Sequence, residues 1–167
     1  MISVAVEVLS LFESAMAAGF NATLAANCAA AGISPQAFTI NWTPGQSYFR
    51  AGYTLQWLRE VATHGLWPTV CMFIGTETDD HDQFPCNFKG PVTVEAAVFL
   101  RTEGAAVADL ETLPACVSDT IKEIWNGVEG PGCIRSGTLR IEREEPEYVD
   151  GAWWQGVRAS AEFDITT

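Results

Sequence analysis

The sequence predicts an α+β domain in which an antiparallel or mixed sheet of about four strands carries helices on one face. Residues 92–101 and 153–165 alternate apolar and polar side chains, which is the pattern of half-buried strands. Apolar residues recur at helical spacing over 4–31 and 110–125. Short connections join the strands in pairs, which favours antiparallel pairing and places the helices on one face of the sheet.

Length and composition indicate a single domain, 1–167, with more apolar surface than a chain of this size buries alone. Hydrophobic residues make up 48% of the 167 residues and charged residues 18%, and there are six Trp and nine Phe. We therefore expect contacts between subunits. The formal net charge of −12 excludes a basic nucleic-acid-binding groove, because phosphate binding needs clustered Lys and Arg.

The cysteines and the N-terminus predict folding in a reducing cytosol. The five cysteines form no close pairs, and their odd number argues against a disulfide framework. Cys71 and Cys116 lie within apolar patterns and are predicted to be buried, reduced thiols. The N-terminus has no basic segment, and Glu7 and Glu13 interrupt its apolar run, so we predict neither a signal peptide nor a membrane span.

The first element is predicted as a helix from about Val4 to Ala18, capped by Ser3. Gly19 is expected to end or bend it, and a second helical segment then reaches about Ala31, with Gly32 as its stop. Two apolar stripes suggest a helix buried by more than one neighbour. Val4, Val8, Leu11 and Ala15 form one stripe, and Ile2, Val6, Leu9, Phe12 and Met16 form the other.

Residues 36–66 are predicted to be an insertion. Alternation indicates a short strand at about 37–42, and 43–47 has the composition of a turn. Apolar residues at helical spacing predict a helix over about 54–64, which ends at Gly65.

The sheet and helix core is predicted over 67–167. A strand over 69–74 precedes a polar loop that begins at Gly75, and the strand 92–101 follows. An amphipathic helix contains Leu110 to Ile124, with Pro114 in its first turn and Gly127 at its end. The remaining strands are predicted at 138–143 and 153–165, and Asp150-Gly151 gives a turn signal between them.

The polar loop holds the densest group of potential functional side chains: Glu77, Asp79, Asp80, His81 and Asp82. Hard cations prefer clustered oxygen ligands, but the spacing matches neither a calcium loop nor a zinc site. We therefore predict no metal site and interpret the loop as a solvated surface, with a cation site as the alternative.

Catalytic motifs do not emerge from the sequence. His64 and His81 are its only imidazoles, and it has neither a Gly-x-Ser-x-Gly elbow nor a glycine-rich phosphate loop. Paired carboxylates for glycoside cleavage stay open, but nothing singles out a pair. We predict no enzyme activity and no cofactor. Trp153 and Trp154 should point to opposite faces of a strand, so that one ring can meet a sugar or a protein partner.

The order and type of several segments resemble the tail-terminator and tail-completion proteins of long-tailed bacteriophages, small neck proteins related to the lambda-like tail terminator. The segments are Trp67–Val70, the acidic loop Thr76–Asp82, the strand Val92–Arg101, the helix with Ile121 and Trp125, Arg143–Pro146, Asp150–Trp154 and Gly156–Ala159. The insertion at 36–66 departs from the short members of that family.

The resemblance implies a structural virion protein of the neck, folded in the host cytoplasm. Such a protein forms a ring, a homo-hexamer, that caps the tail tube and joins it to a head-completion or connector protein while DNA passes without specific binding. Neither an enzyme activity, a cofactor nor a membrane is implied. The loop residues Glu77, Asp79, Asp80, His81 and Asp82 become candidates for a subunit contact or for the lumen.

Other functions stay open beside this one. One is another head–tail connector or tube component. A second is a carbohydrate- or protein-binding module that uses Trp42, Trp67, Trp153 or Trp154, and a small hydrolase is a third.

Overall fold

The computed structural model describes residues 4–33, 69–77, 90–102, 107–128 and 134–165. The helices are α1 (Val4–Ala30) and α2 (Val107–Asn126), and the strands are β1 (Thr69–Glu77), β2 (Gly90–Thr102), β3 (Ile134–Arg143), β4 (Glu147–Val149) and β5 (Ala152–Ile165). The strand predicted at 37–42 and the helix predicted at 54–64 lie outside the described residues.

The strands form one sheet in the order β1-β2-β5-β3, and every pairing between them is antiparallel. The short strand β4 pairs with the start of β5, on the same side of β5 as β3. Helix α1 packs against β1 and β2, α2 packs against β5 and β3, and the two helices pack on each other. The predicted α+β fold, with about four main strands and helices on one face, is confirmed.

The predicted alternation of β2 and β5 places their apolar side chains in the core. Five side chains of each strand belong to the core cluster: Val92, Val94, Ala96, Val98 and Leu100 from β2, and Val157, Ala159, Ala161, Phe163 and Ile165 from β5. Phe163 also contacts Phe12 of α1, with the ring centroids 5.9 Å apart. The opposite faces of both strands carry Glu95 and Arg158, which lie on the sheet face turned away from α1 and α2.

Helix α1 is continuous through Gly19, so the predicted helix end there is wrong. One buried stripe continues on both sides of Gly19 at helical spacing: Ala5, Val8, Phe12, Met16, Phe20, Leu24 and Cys28. Burial of that stripe outweighs the cost of about 1 kcal/mol for glycine within a helix. A Cβ at Gly19 would lie 3.7 Å from Ile124 of α2, which is ordinary contact.

The C-terminus of α1 is where the sequence predicts it. Gly32 has a φ of 76°, its N–H donates to the carbonyl of Ala29, and the N–H of Ile33 donates to the carbonyl of Cys28. These two bonds form a Schellman motif, which needs a left-handed residue at the position of Gly32. Ile33 then packs against the core and fixes the direction of the chain.

Helix α1 packs against α2, β1 and β2, so it has more than one neighbour as predicted, but only one of its faces is fully buried. Val6 is 42% exposed. The outer face also exposes Glu7, Ser10, Ser14, Ala17, Ala18, Ala22, Ala26, Ala29 and Ala30. By length and composition alone, the span Ala5–Ala30 would be able to cross a membrane, although core helices pass the same test.

Helix α2 begins earlier than predicted, so Pro114 lies inside it rather than in its first turn. Proline within a helix removes one backbone hydrogen bond. The Pro114 carbonyl accepts a hydrogen bond of 2.7 Å from the buried Ser118 hydroxyl, which ties this turn to the next one. Gly127 follows the last helical residue, as predicted.

Two strands are longer than predicted because each contains an irregularity. Strand β1 continues from Ile74 through a register shift to Glu77, so residues 75–77 belong to the strand and not to the loop. Strand β3 begins at Ile134, and its register shifts between Ser136 and Leu139. Such bulges interrupt the alternation from which a strand is read in sequence.

The predicted Asp150-Gly151 turn connects β4 to β5. Asp150 has a φ of 52° and Gly151 a φ of 83°. Positive φ at both central residues is the geometry of a type I′ hairpin turn, which matches the twist of the flanking strands.

Candidate functional site

Of the acidic loop residues singled out in the sequence, only Glu77 belongs to a described element. Glu77 ends β1 and is paired with Val92 of β2. The segment that contains Asp79, Asp80, His81 and Asp82 lies outside the described residues. Strand β2 begins at Gly90, which pairs with Ile165. A role of Glu77, Asp79, Asp80, His81 and Asp82 in a subunit contact or a lumen stays a prediction.

The sheet face turned away from α1 and α2 carries a group of charged side chains that the strand register brings together. The Arg158 Nε donates to Glu95 Oε2 over 3.3 Å, and the Glu95 side chain is only 13% exposed. The register places Ser160 between Glu95 and Arg140, and it places Arg158 beside Glu142. Oppositely charged side chains on neighbouring strands, such as Arg158 and Glu142, contribute about 0.2–1 kcal/mol per pair.

These side chains line a shallow cavity of about 260 Å³, formed by Glu95, Arg140, Glu142, Arg158 and Ser160. The negative charges of the two carboxylates there equal the positive charges of the two guanidinium groups. The described residues that line the cavity include no imidazole beside the Ser160 hydroxyl.

Within the described residues, the outer side of β3 and β4 has no neighbouring strand. We call residues 138–148 the β3–β4 edge. Exposed residues run continuously from Glu142 to Tyr148, and Tyr148 is 60% exposed. Within the described ranges no strand pairs with the outer side of β3. Unpaired strand edges are sites at which a second chain can add.

A groove beside this edge separates α2 from β3. It has a volume of about 400 Å³ and is lined by Ser118, Lys122, Trp125, Asn126, Leu139, Ile141 and Arg143, which we call the α2–β3 groove. Both charged side chains in the lining, Lys122 and Arg143, are positive. Lys122 also contacts Asp119 at 3.0 Å across an exposed turn.

The indole of Trp125 is the unusual member of this groove. Its Nε1 atom is buried and has no acceptor within the described part of the chain. A buried donor without an acceptor costs about 1–3 kcal/mol. The described residues of the groove therefore leave this indole N–H without a hydrogen bond.

The predicted separation of Trp153 and Trp154 fits their adjacent positions in β5, and each ring is half-buried. The Trp153 ring packs against Tyr148 with the centroids 5.1 Å apart. The sequence reasoning did not single out Tyr148, because β4 is too short to show alternation.

Two cysteines meet in the helix interface. Cys28 and Cys116 are both buried and reduced, which confirms the prediction for Cys116. The side chain of Cys71 lies outside the described ones. Burial, with a smaller contribution from the neighbouring Cys116, raises the pKa of the Cys28 thiol to about 11. A thiol with this pKa is protonated at neutral pH, and it is therefore a poor nucleophile.

Sequence reasoning missed the Glu95–Arg158 pair and the α2–β3 groove. The alternation did place Glu95 and Arg158 on polar strand faces, but only the register brings them together. Within the described ranges, no group of three or more His, Cys, Asp or Glu side chains is arranged to hold a metal ion. No protein-family model matches the chain, and no curated protein matches it as a relative.

Proposed function

We propose that this chain is the subunit of a closed ring in a bacteriophage neck, a tail terminator that caps the tail tube. The observation that carries the proposal is the sheet order β1-β2-β5-β3, in which, among the described strands, β1 and β3 lie at opposite edges. A contact between unlike edges of successive copies is heterologous, and repeated heterologous contacts close into a ring when their rotation allows it.

Charge supports the same proposal. The chain has 21 acidic and nine basic residues. A ring of such subunits presents an acidic wall, which repels the DNA backbone and lets it pass without adhering. The resemblance of Trp67–Val70, Val92–Arg101 and Asp150–Trp154 to tail-terminator segments adds the location in the neck.

The partners follow from that location. A cap on the tail tube contacts the tube protein on one side and a head-completion or connector protein on the other. The sequence segment with Glu77, Asp79, Asp80, His81 and Asp82 is a candidate for one of these contacts or for the lumen.

A protein- or carbohydrate-binding module is the second candidate. The exposed Tyr148 and the half-buried Trp153 favour it, because paired aromatic rings stack on sugars and anchor protein partners. A module of this kind acts as a monomer, whereas a terminator acts as a ring.

The functional test is the growth of tail tubes in vitro. Tube subunits of the same virion are polymerised with and without this protein, and tube lengths are measured by negative-stain electron microscopy. We expect added protein to shorten the tubes and to appear as a ring at one end. Tubes of unchanged length without an end ring would contradict the assignment as a terminator, and binding to a glycan array would favour the second candidate.

A further inference from the structure

We propose that the α2–β3 groove of one copy receives the outer face of α1 from the next copy of this chain. The inference rests on the proposed ring, for which it specifies the contact between neighbours. It names both surfaces, and each is formed by described residues.

The two surfaces lie on opposite sides of the molecule. Helix α1 packs over β1 and β2, whereas α2 packs over β5 and β3. Because β1 and β3 are the two outer strands, a contact from the α1 side of one copy to the α2–β3 side of the next joins unlike surfaces. Such a contact leaves one side of each copy available for a further copy, as a ring requires.

The surfaces match in polarity and charge. The groove combines the apolar Trp125, Leu139 and Ile141 with the cations Lys122 and Arg143. The outer face of α1 is rich in small residues and includes Val6, and Glu7 is its exposed charge. Lys122 is already paired with Asp119, so the complementarity that fixes orientation comes from Glu7 on one surface and Arg143 on the other.

The indole N–H of Trp125 is a second reason to expect a partner at the groove. Trp125 Nε1 needs an acceptor that the described residues do not supply. The outer face of α1 carries oxygen acceptors in Glu7, Ser10 and Ser14. A small side-chain shift would admit one of them, and the hydrogen bond would then form only in the assembly.

The surface of α1 is large enough for a stable contact. A helix of 27 residues is on the order of 40 Å long. Stable interfaces bury about 800 Å² per partner, and a helix face of this length supplies a large share of that area. The charges at the β3–β4 edge and its Pro146 discourage unspecific strand addition beside the groove.

A charge exchange tests the contact. Glu7→Lys and Arg143→Glu are made singly and together in the full chain, and the dissociation of the assembly on dilution is followed by mass photometry. Each single variant places like charges opposite each other, so we expect roughly a tenfold weaker assembly. The double variant restores opposite charges and should recover most of the loss.

A matched control variant and a second test variant show whether a loss of assembly comes from this contact. Arg140→Glu makes the same charge change on the other face of β3, and we expect it to leave the assembly unchanged. Trp125→Phe keeps most of the ring volume but removes the N–H, and we expect roughly fivefold weaker assembly. Circular dichroism confirms that each variant is folded.

The possible results separate this inference from the proposed function. A ring that forms normally in both single-charge variants, or one that only Arg140→Glu disrupts, overturns the contact but leaves the ring in place. A dimer that depends on Glu7 and Arg143 supports the contact and contradicts the ring. A wild-type monomer at all concentrations contradicts both.

Discussion

At the scale of single residues, the burial of Cys28 is a property that the local sequence pattern did not predict. The Asn27 amide donates to Thr120 Oγ1 over 3.1 Å, and beside it Cys28 meets Cys116. The sequence predicted burial of Cys116, whose own helix has a clear apolar stripe. It did not predict burial of Cys28, because the break expected at Gly19 separated Cys28 from the stripe to which it belongs.

The raised pKa of Cys28 predicts resistance to alkylation. In the native protein at pH 8.5 we expect iodoacetamide to modify Cys28 at least about tenfold more slowly than in urea at the same pH, because only the thiolate reacts. Mass spectrometry of proteolytic peptides measures the modification. Equal rates in native and unfolded protein would show that Cys28 is accessible and ionises normally.

The same shift has a consequence for stability. A thiol whose pKa is higher in the folded state binds its proton more tightly there than in the unfolded chain. The free energy of unfolding therefore falls as the pH rises through the window from about 9, the ordinary value, to about 11.

At the scale of elements, the sequence predicted which segments are helices and strands, but it located some ends wrongly. The end of α1 at Gly32 was predictable, because a left-handed residue there completes local hydrogen bonds. Continuity through Gly19 was not predictable from local signals, since the tertiary burial of Phe20 and Leu24 decides it. The bulge of β3 likewise concealed its first residues.

We expect opposite effects from the same substitution at Gly19 within α1 and at Gly32 just beyond its C-terminal end. Gly19→Ala should stabilise the protein by about 0.5–1 kcal/mol, because alanine favours helix and its Cβ makes only ordinary contact with Ile124. Gly32→Ala should destabilise it by about 1 kcal/mol, because Gly32 has a φ of 76°. Urea unfolding measures both.

Each of these variants is the matched control for the other, since both replace glycine by alanine, one within α1 and one at its C-terminal cap. A loss of stability in Gly19→Ala that equals the loss in Gly32→Ala would mean that the helix does bend or end at Gly19.

At the scale of the whole molecule, the pairing of β2 with β5 joins the two predicted strand pairs into one sheet. The sequence predicted strands and their faces, but it contained no local signal for this pairing, because α2 separates the two strands. The same limit applies to the functional surfaces. Glu95 and Arg158 are 63 residues apart, and the α2–β3 groove joins residues from two elements.

The central claim, that the chain forms a closed ring, predicts the size and shape of the purified protein. Multi-angle light scattering after size-exclusion chromatography, with negative-stain images of the same peak, is the most direct test. We expect a mass about six times the 18.1 kDa of one chain and rings with an open centre. A monomer of 18.1 kDa over the whole concentration range, without rings in the images, would contradict the claim.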